Sequence, residues 1–136
     1  MYQITRKNKI TETLQLCHAD GTVAETIEVA INVDQMGSGI YKTDELVGIA
    51  QNTLKKDPRD PKLVEEYGNA IIALFRAIFG DENAERIVSF YEGNESEMLL
   101  DIFPFLNDVI LPAVREASAH RKEQLEAAAK LSKRKR

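Results

Sequence analysis

The residues in this chain whose types could do chemistry are few and far apart. His18 and His120 are the only histidines, and Cys17 is the only cysteine. A histidine serves as a general base or metal ligand when a second polar group is held beside it, and no His-x-x-x-His or Glu-x-x-His spacing occurs. His18 reads as a residue next to a hairpin turn and His120 as one on a polar helix, both at the surface. A lone cysteine excludes an internal disulfide and a cysteine-based zinc site, so Cys17 reads as a strand residue. Gly37-Ser38-Gly39 resembles a glycine-rich loop, but no Gly-Lys-Ser/Thr follows it and no βαβ pattern surrounds it. It reads as a flexible joint. Asp81, Glu82 and Glu85 fall where a helix should begin, and there negative charge offsets the helix macrodipole. Glu92, Glu95, Glu97 and Asp101 lack the alternating oxygen ligands of a calcium loop. The sequence therefore predicts a non-enzyme with no catalytic residue, no metal site and no cofactor.

The chemistry that remains is apolar. Between Met98 and Leu106 lie seven apolar or aromatic residues. Methionine adapts its shape and aromatic rings dominate binding hot spots, so Met98, Leu99, Ile102, Phe103, Phe105 and Leu106 form the candidate partner-binding surface. The preceding stretch from Leu74 to Phe90 reads as core, because aromatics on an apolar helical stripe are normally inside.

These residues need a frame, and composition bounds it. A chain of 136 residues, 43% hydrophobic and 29% charged, fits one domain with a real core. No apolar run approaches the ~20 residues that cross a bilayer, and MYQITRKNKI has no apolar h-region, so a cytoplasmic location is expected and no membrane partner. The net charge of −4 hides an asymmetry: five of the 18 basic residues lie in Lys130 to Arg136 without an acid, leaving 13 basic against 22 acidic elsewhere, a balance of −9. Such a body repels phosphates, which leaves the basic tail as the only candidate for nucleic-acid contact and argues against that role.

The pattern along the chain predicts an α+β fold, an N-terminal β-hairpin over residues 2–33 followed by a mostly helical bundle of four to five helices. Ile10, Leu14 and Leu16, then Val23, Ile27, Val29, Ile31 and Val33, recur with period two. Asp20-Gly21 between them suits a two-residue type I′ turn, which sets Leu14 opposite Ile27 and Ile10 opposite Ile31, with Tyr2 and Ile4 extending the first strand. The helical core is expected over 43–117. It begins near Thr43, because Gly37 and Gly39 each cost a helix about 1 kcal/mol. Its first stripe is Leu46, Val47, Ile49, Ala50 and Leu54. Asp60-Pro61 opens a second helix and Gly80 ends it. A third runs from Asn83 to Tyr91 with Ile87, Val88 and Phe90 inward, and Gly93 closes it. A fourth starts at Asn94 to Ser96 and bends near Phe103 ahead of Pro104. Leu106, Val109, Ile110, Ala113, Val114 and Ala117 carry the fifth, with a kink at Pro112. Residues 118–136 are expected to project as a helix with a basic, fraying tail.

The order of hairpin, DPRDP connection, LFRAIFGDENAERIVSFYEGN (Leu74 to Asn94) and EMLLDIFPFLNDVILP (Glu97 to Pro112) resembles the small tail assembly chaperones of long-tailed (siphovirus-like) bacteriophages of Gram-positive bacteria. The resemblance covers most of the chain. It implies a non-catalytic protein of the host cytoplasm that binds the long helical tape measure protein, helps recruit tail tube subunits and self-associates as a homo-oligomer. It also implies a longer frameshifted product and so an origin for the basic tail. The alternatives are a small protein-binding adaptor or regulator and, less so, a nucleic-acid binder acting through that tail. The break at Gly37 to Gly39 departs from the continuous first helix the family would have.

Overall fold

Two strands, β1 (Lys9–Cys17) and β2 (Val23–Asn32), pair antiparallel with Ile10 opposite Ile31 and Leu14 opposite Ile27, the expected register. They belong to a computed structural model that describes residues 1–5 and 9–134. The turn differs from expectation. A type I′ turn needs positive φ at both central residues, but only Gly21 has it, at 88°. The loop is instead three residues, closed by hydrogen bonds from the Gly21 N–H to the His18 carbonyl (2.9 Å) and from the His18 N–H to the Thr22 carbonyl (2.8 Å). Asp20 accepts from the Thr22 hydroxyl and N–H, and these bonds hold its carboxyl below the usual range. The odd residue shifts the pairing by one, and an irregularity between Leu16 and Cys17 restores it, since Cys17 faces Val23 while Leu16 faces Glu25. Val23 therefore lies outside, half exposed, where simple alternation puts it on the apolar face. Tyr2 and Ile4 do not extend β1; residues 1–5 carry no regular structure and both side chains are exposed.

The hairpin is followed directly by helix. α1 (Val33–Lys56) begins ten residues before Thr43 and runs through both glycines. Asn32 caps it, its side-chain oxygen accepting from the N–H groups of Asp34 (3.0 Å) and Gln35 (3.3 Å). Gly37 is buried, and a Cβ there would lie 3.3 Å from Val33 and 3.7 Å from Ser118 of the last helix. The expected joint is thus a buried helical position facing the last helix, and burial of Val33, Ile40 and Val47 offsets the glycine penalty. The inward stripe of α1 is these residues. Leu46 and Ile49 lie outside.

α2 (Pro61–Phe79) starts at Asp60, whose carboxylate accepts from the Lys62 N–H, and stops at Gly80, which has φ 84° and also opens α3 (Asp81–Phe90). Ile71, Leu74, Phe75 and Ile78 are almost wholly buried, with Ala84 and Ile87 of α3 beside them. Val88 and Phe90 are half-buried. Arg86 fastens α3 to the hairpin, donating to the Glu25 carboxylate, the Thr26 carbonyl and Asn83. Together β2, α2 and α3 enclose one side of the core, and α1, the next helix and the start of the last one supply most of the rest.

α4 (Glu95–Phe105) is capped by Asn94, which accepts from the Glu97 N–H at 3.1 Å, and it passes through Pro104 without stopping at Phe103. The irregularity comes later, as a single π turn over Leu106–Ile110 in which the Leu111 N–H donates to the Leu106 carbonyl. A widened turn just ahead of Pro112 gives that ring room against the Asp108 carbonyl and tolerates its missing N–H. α5 (Leu111–Arg134) follows. It lies antiparallel to α1, tied by Arg121 to Asp34 through two 3.0 Å hydrogen bonds. Every residue from Lys122 to Leu131 is exposed. The last residues of the basic tail, Lys135 and Arg136, lie outside the described residues, and so does the fraying expected of them. Among the described residues no helix is long and apolar enough to cross a membrane.

Candidate functional site

The six residues expected to bind a partner divide by helical phase. Met98, Ile102 and Leu106, four residues apart, point inward and are at most 2% exposed. They belong to the core and cannot be the surface that touches a partner. Phe105 is half-buried, its ring stacked on Phe79 with centroids 6.4 Å apart, so it too mainly supports the fold. Leu99 and Phe103 are also half-buried, but they line an open groove.

That groove, of about 530 Å³, runs between α4, α2 and the end of α1. Leu99, Leu100, Phe103 and Pro104 supply one wall, Tyr67 of α2 and Gln51 of α1 the other, and Asn107 and Asp108 close one end. Leu100 is 77% exposed, the most exposed leucine among the described residues. Burial pushes the Tyr67 phenol up from its ordinary pKa, so the ring presents a neutral, mostly apolar face. Leu100, Pro104, Tyr67 and Gln51 are not in the set that the sequence points to. Leu100 is findable there, since it falls out of phase with Met98 and Ile102; Tyr67 and Gln51 are not, because nothing local brings α1 and α2 to that face.

One acid, Asp108, lines the groove, and the segment that carries the groove is acidic. From Glu92 to Asp108 there are five acidic residues and no basic one. Asp101 accepts from the Tyr91 hydroxyl at 3.1 Å, joining the end of α3 to α4, and burial together with this carboxylate raises the Tyr91 pKa. A larger recess of about 870 Å³ lies at the open end of the hairpin, but its lining includes Asn32, Asp34 and Arg121, polar groups that already cap and bridge helices. It is a seam between elements, and its lining is more polar in proportion than that of the α4 groove.

The other candidates stand apart. Cys17 is exposed at the end of β1, His18 lies against the Phe90 ring at 6.2 Å, and His120 is exposed on α5. Among the described residues no three of the histidine, cysteine, aspartate and glutamate side chains are placed to hold a metal ion. Comparison with known protein families, with curated proteins and with solved structures finds no match to this chain.

Proposed function

We propose that this protein is a non-catalytic chaperone that holds an apolar helical segment of another protein in the groove between α4 and α2. The observation that carries the reading is Leu100, a large apolar side chain left outside on a helix whose opposite face is completely packed. Four adjoining apolar or aromatic residues, Leu99, Phe103, Pro104 and Tyr67, make it part of a patch. A rigid helix presenting such a groove suits the mode in which a partner helix lays anchors at i, i+3 or i+4, and i+7 into an apolar channel. The resemblance of Leu74 to Asn94 and Glu97 to Pro112 to phage tail assembly chaperones supports a specific partner: a tape measure protein, with tail tube subunits recruited afterwards, in the cytoplasm of the host.

Co-expression tests this directly. A long helical tape measure protein encoded beside this chain should be insoluble alone and soluble with it, and Leu100→Glu should abolish the rescue while the variant itself stays folded. If the partner precipitates equally with and without the wild-type chain, the chaperone reading fails. If rescue occurs but survives Leu100→Glu, the groove is the wrong surface.

A further inference from the structure

The groove changes character along its length. Its α4 wall continues into the π turn as two rows at spacing four, Leu99-Phe103-Asn107 and Leu100-Pro104-Asp108, each apolar for two turns and polar at the third. In an α-helix of about 3.6 residues per turn such rows drift round the axis, and a turn closed at i+5 takes up the drift. The π turn over Leu106–Ile110 therefore keeps Asn107 and Asp108 in line with the apolar rows above them.

Asp108 is the only charged residue that lines the groove. It is exposed, and among the described residues neither its carboxylate nor the side chains of Asn107 and Gln51 have a hydrogen-bond or ion-pair partner. Asp101 and Glu97, earlier on the same helix, are by contrast engaged within the chain, by Tyr91 and Asn94. An unpaired carboxylate at the end of an apolar channel sets a preference for what a bound helix carries there. A lysine or arginine lays its aliphatic stem along the channel wall and brings its cation to the carboxylate, while the amide oxygens of Asn107 and Gln51 can accept from its remaining N–H groups. A glutamate would meet a like charge, and an apolar residue would desolvate Asp108 without giving it a partner.

We infer that Asp108 selects the partner: the groove takes an amphipathic helix with apolar anchors on one turn and a basic residue one turn beyond them. The inference rests on the groove as a helix-binding surface and adds a charge rule carried by a single residue.

Labelled helical peptides added to the full chain test this. An alanine- and glutamine-rich peptide of about 20 residues, long enough to hold a helix, carries leucine at i, i+3 and i+4 and either lysine, glutamine or glutamate one turn after them. A second series places that residue one turn before the leucines, so that both directions of docking are sampled. By fluorescence anisotropy, lysine should bind about threefold more tightly than glutamine and about tenfold more tightly than glutamate in at least one series, the scale of an exposed ion pair. Asp108→Asn, which keeps the shape, should level the three peptides, and Asp108→Lys should reverse their order; circular dichroism checks the fold of both. The lysine preference should shrink as salt shortens the screening length from about 10 Å at 0.1 M to 3 Å at 1 M. Failure of every peptide to bind, no preference on the wild type, or a preference indifferent to salt overturns the inference. So does a preference that survives Asp108→Asn, which would belong to the acidic body as a whole. Peptides that bind alike and are all lost on Leu100→Glu leave the groove reading standing without this inference. Binding that Leu100→Glu leaves unchanged refutes the groove itself, and the inference with it.

Discussion

The segment from Leu74 to Phe90 and the segment from Met98 to Leu131 are both helical and both rich in apolar residues, yet they use them oppositely. In the first, Leu74, Phe75, Ile78 and Ile87 are at most 1% exposed, and the α2–α3 elbow at Gly80 folds the two stripes onto β2. In the second, the inward stripe of Met98, Ile102, Leu106 and Ile110 is packed just as well, but Leu100, Val109, Leu125 and Leu131 are left outside. Apolar content alone does not separate a core from a surface that binds. Phase does, because a helix with one neighbour covers one stripe and exposes whatever lies outside it.

The largest effect that tests this contrast is truncation on each side. Phe75→Ala should destabilise the protein by about 3–5 kcal/mol, since it leaves a cavity against Phe79 and the surrounding aliphatic residues. Leu100→Ala should stay within about 0.5 kcal/mol of wild type in the same urea titration, because its side chain is already in water. A large loss at Leu100 would mean that the groove belongs to the core.

Legibility followed the same division. The hairpin register, the Asp60-Pro61 start and the Gly80 stop rest on local chemistry, and each appears where local chemistry puts it. Gly37 did not, because its helical state rests on burial against Ser118, a residue far away in sequence. Val23 was misplaced for a smaller reason: one extra loop residue and one compensating irregularity cancel in the register but not at the position between them. Of the six residues expected on the candidate surface, three are core, and the exposed Leu100 was not among them, because the expectation took the segment without its helical phase.

Two glycines in one helix sharpen the difference between covered and open faces at lower cost. A Cβ added at Gly39 would meet no neighbouring side chain or packed element within 4 Å, and the backbone there is helical. Gly39→Ala should therefore raise stability by about 0.5–1 kcal/mol through helix propensity and a less mobile unfolded chain. Gly37→Ala has the same intrinsic gain but must push on Val33 at 3.3 Å, so its gain should fall short of that at Gly39. Thermal denaturation of the two variants side by side reads the difference, and equal gains would show that the Val33 side chain yields freely to the added methyl group.

The smallest expected effect lies at the joint between the two regions, where the Tyr91 hydroxyl of the α3 end donates to Asp101 of α4. Burial first, and then this carboxylate, raise the phenol's pKa in the folded protein above its ordinary value near 10. A raised pKa means that the folded state holds the proton more tightly than the unfolded one. The resulting stability is fully present below about pH 10 and is lost progressively as pH rises above it towards the folded value. Tyr91→Phe removes both the hydrogen bond and this dependence. At pH 7 it should cost about 0.5–1.5 kcal/mol. Above pH 10 the gap between wild type and variant should narrow, since the wild type alone carries this proton-linked loss. Urea titrations at pH 7 and at pH 10.5 measure both, and a gap that widens with pH would mean that the phenol and Asp101 do not share a proton-dependent contact across the α3–α4 joint.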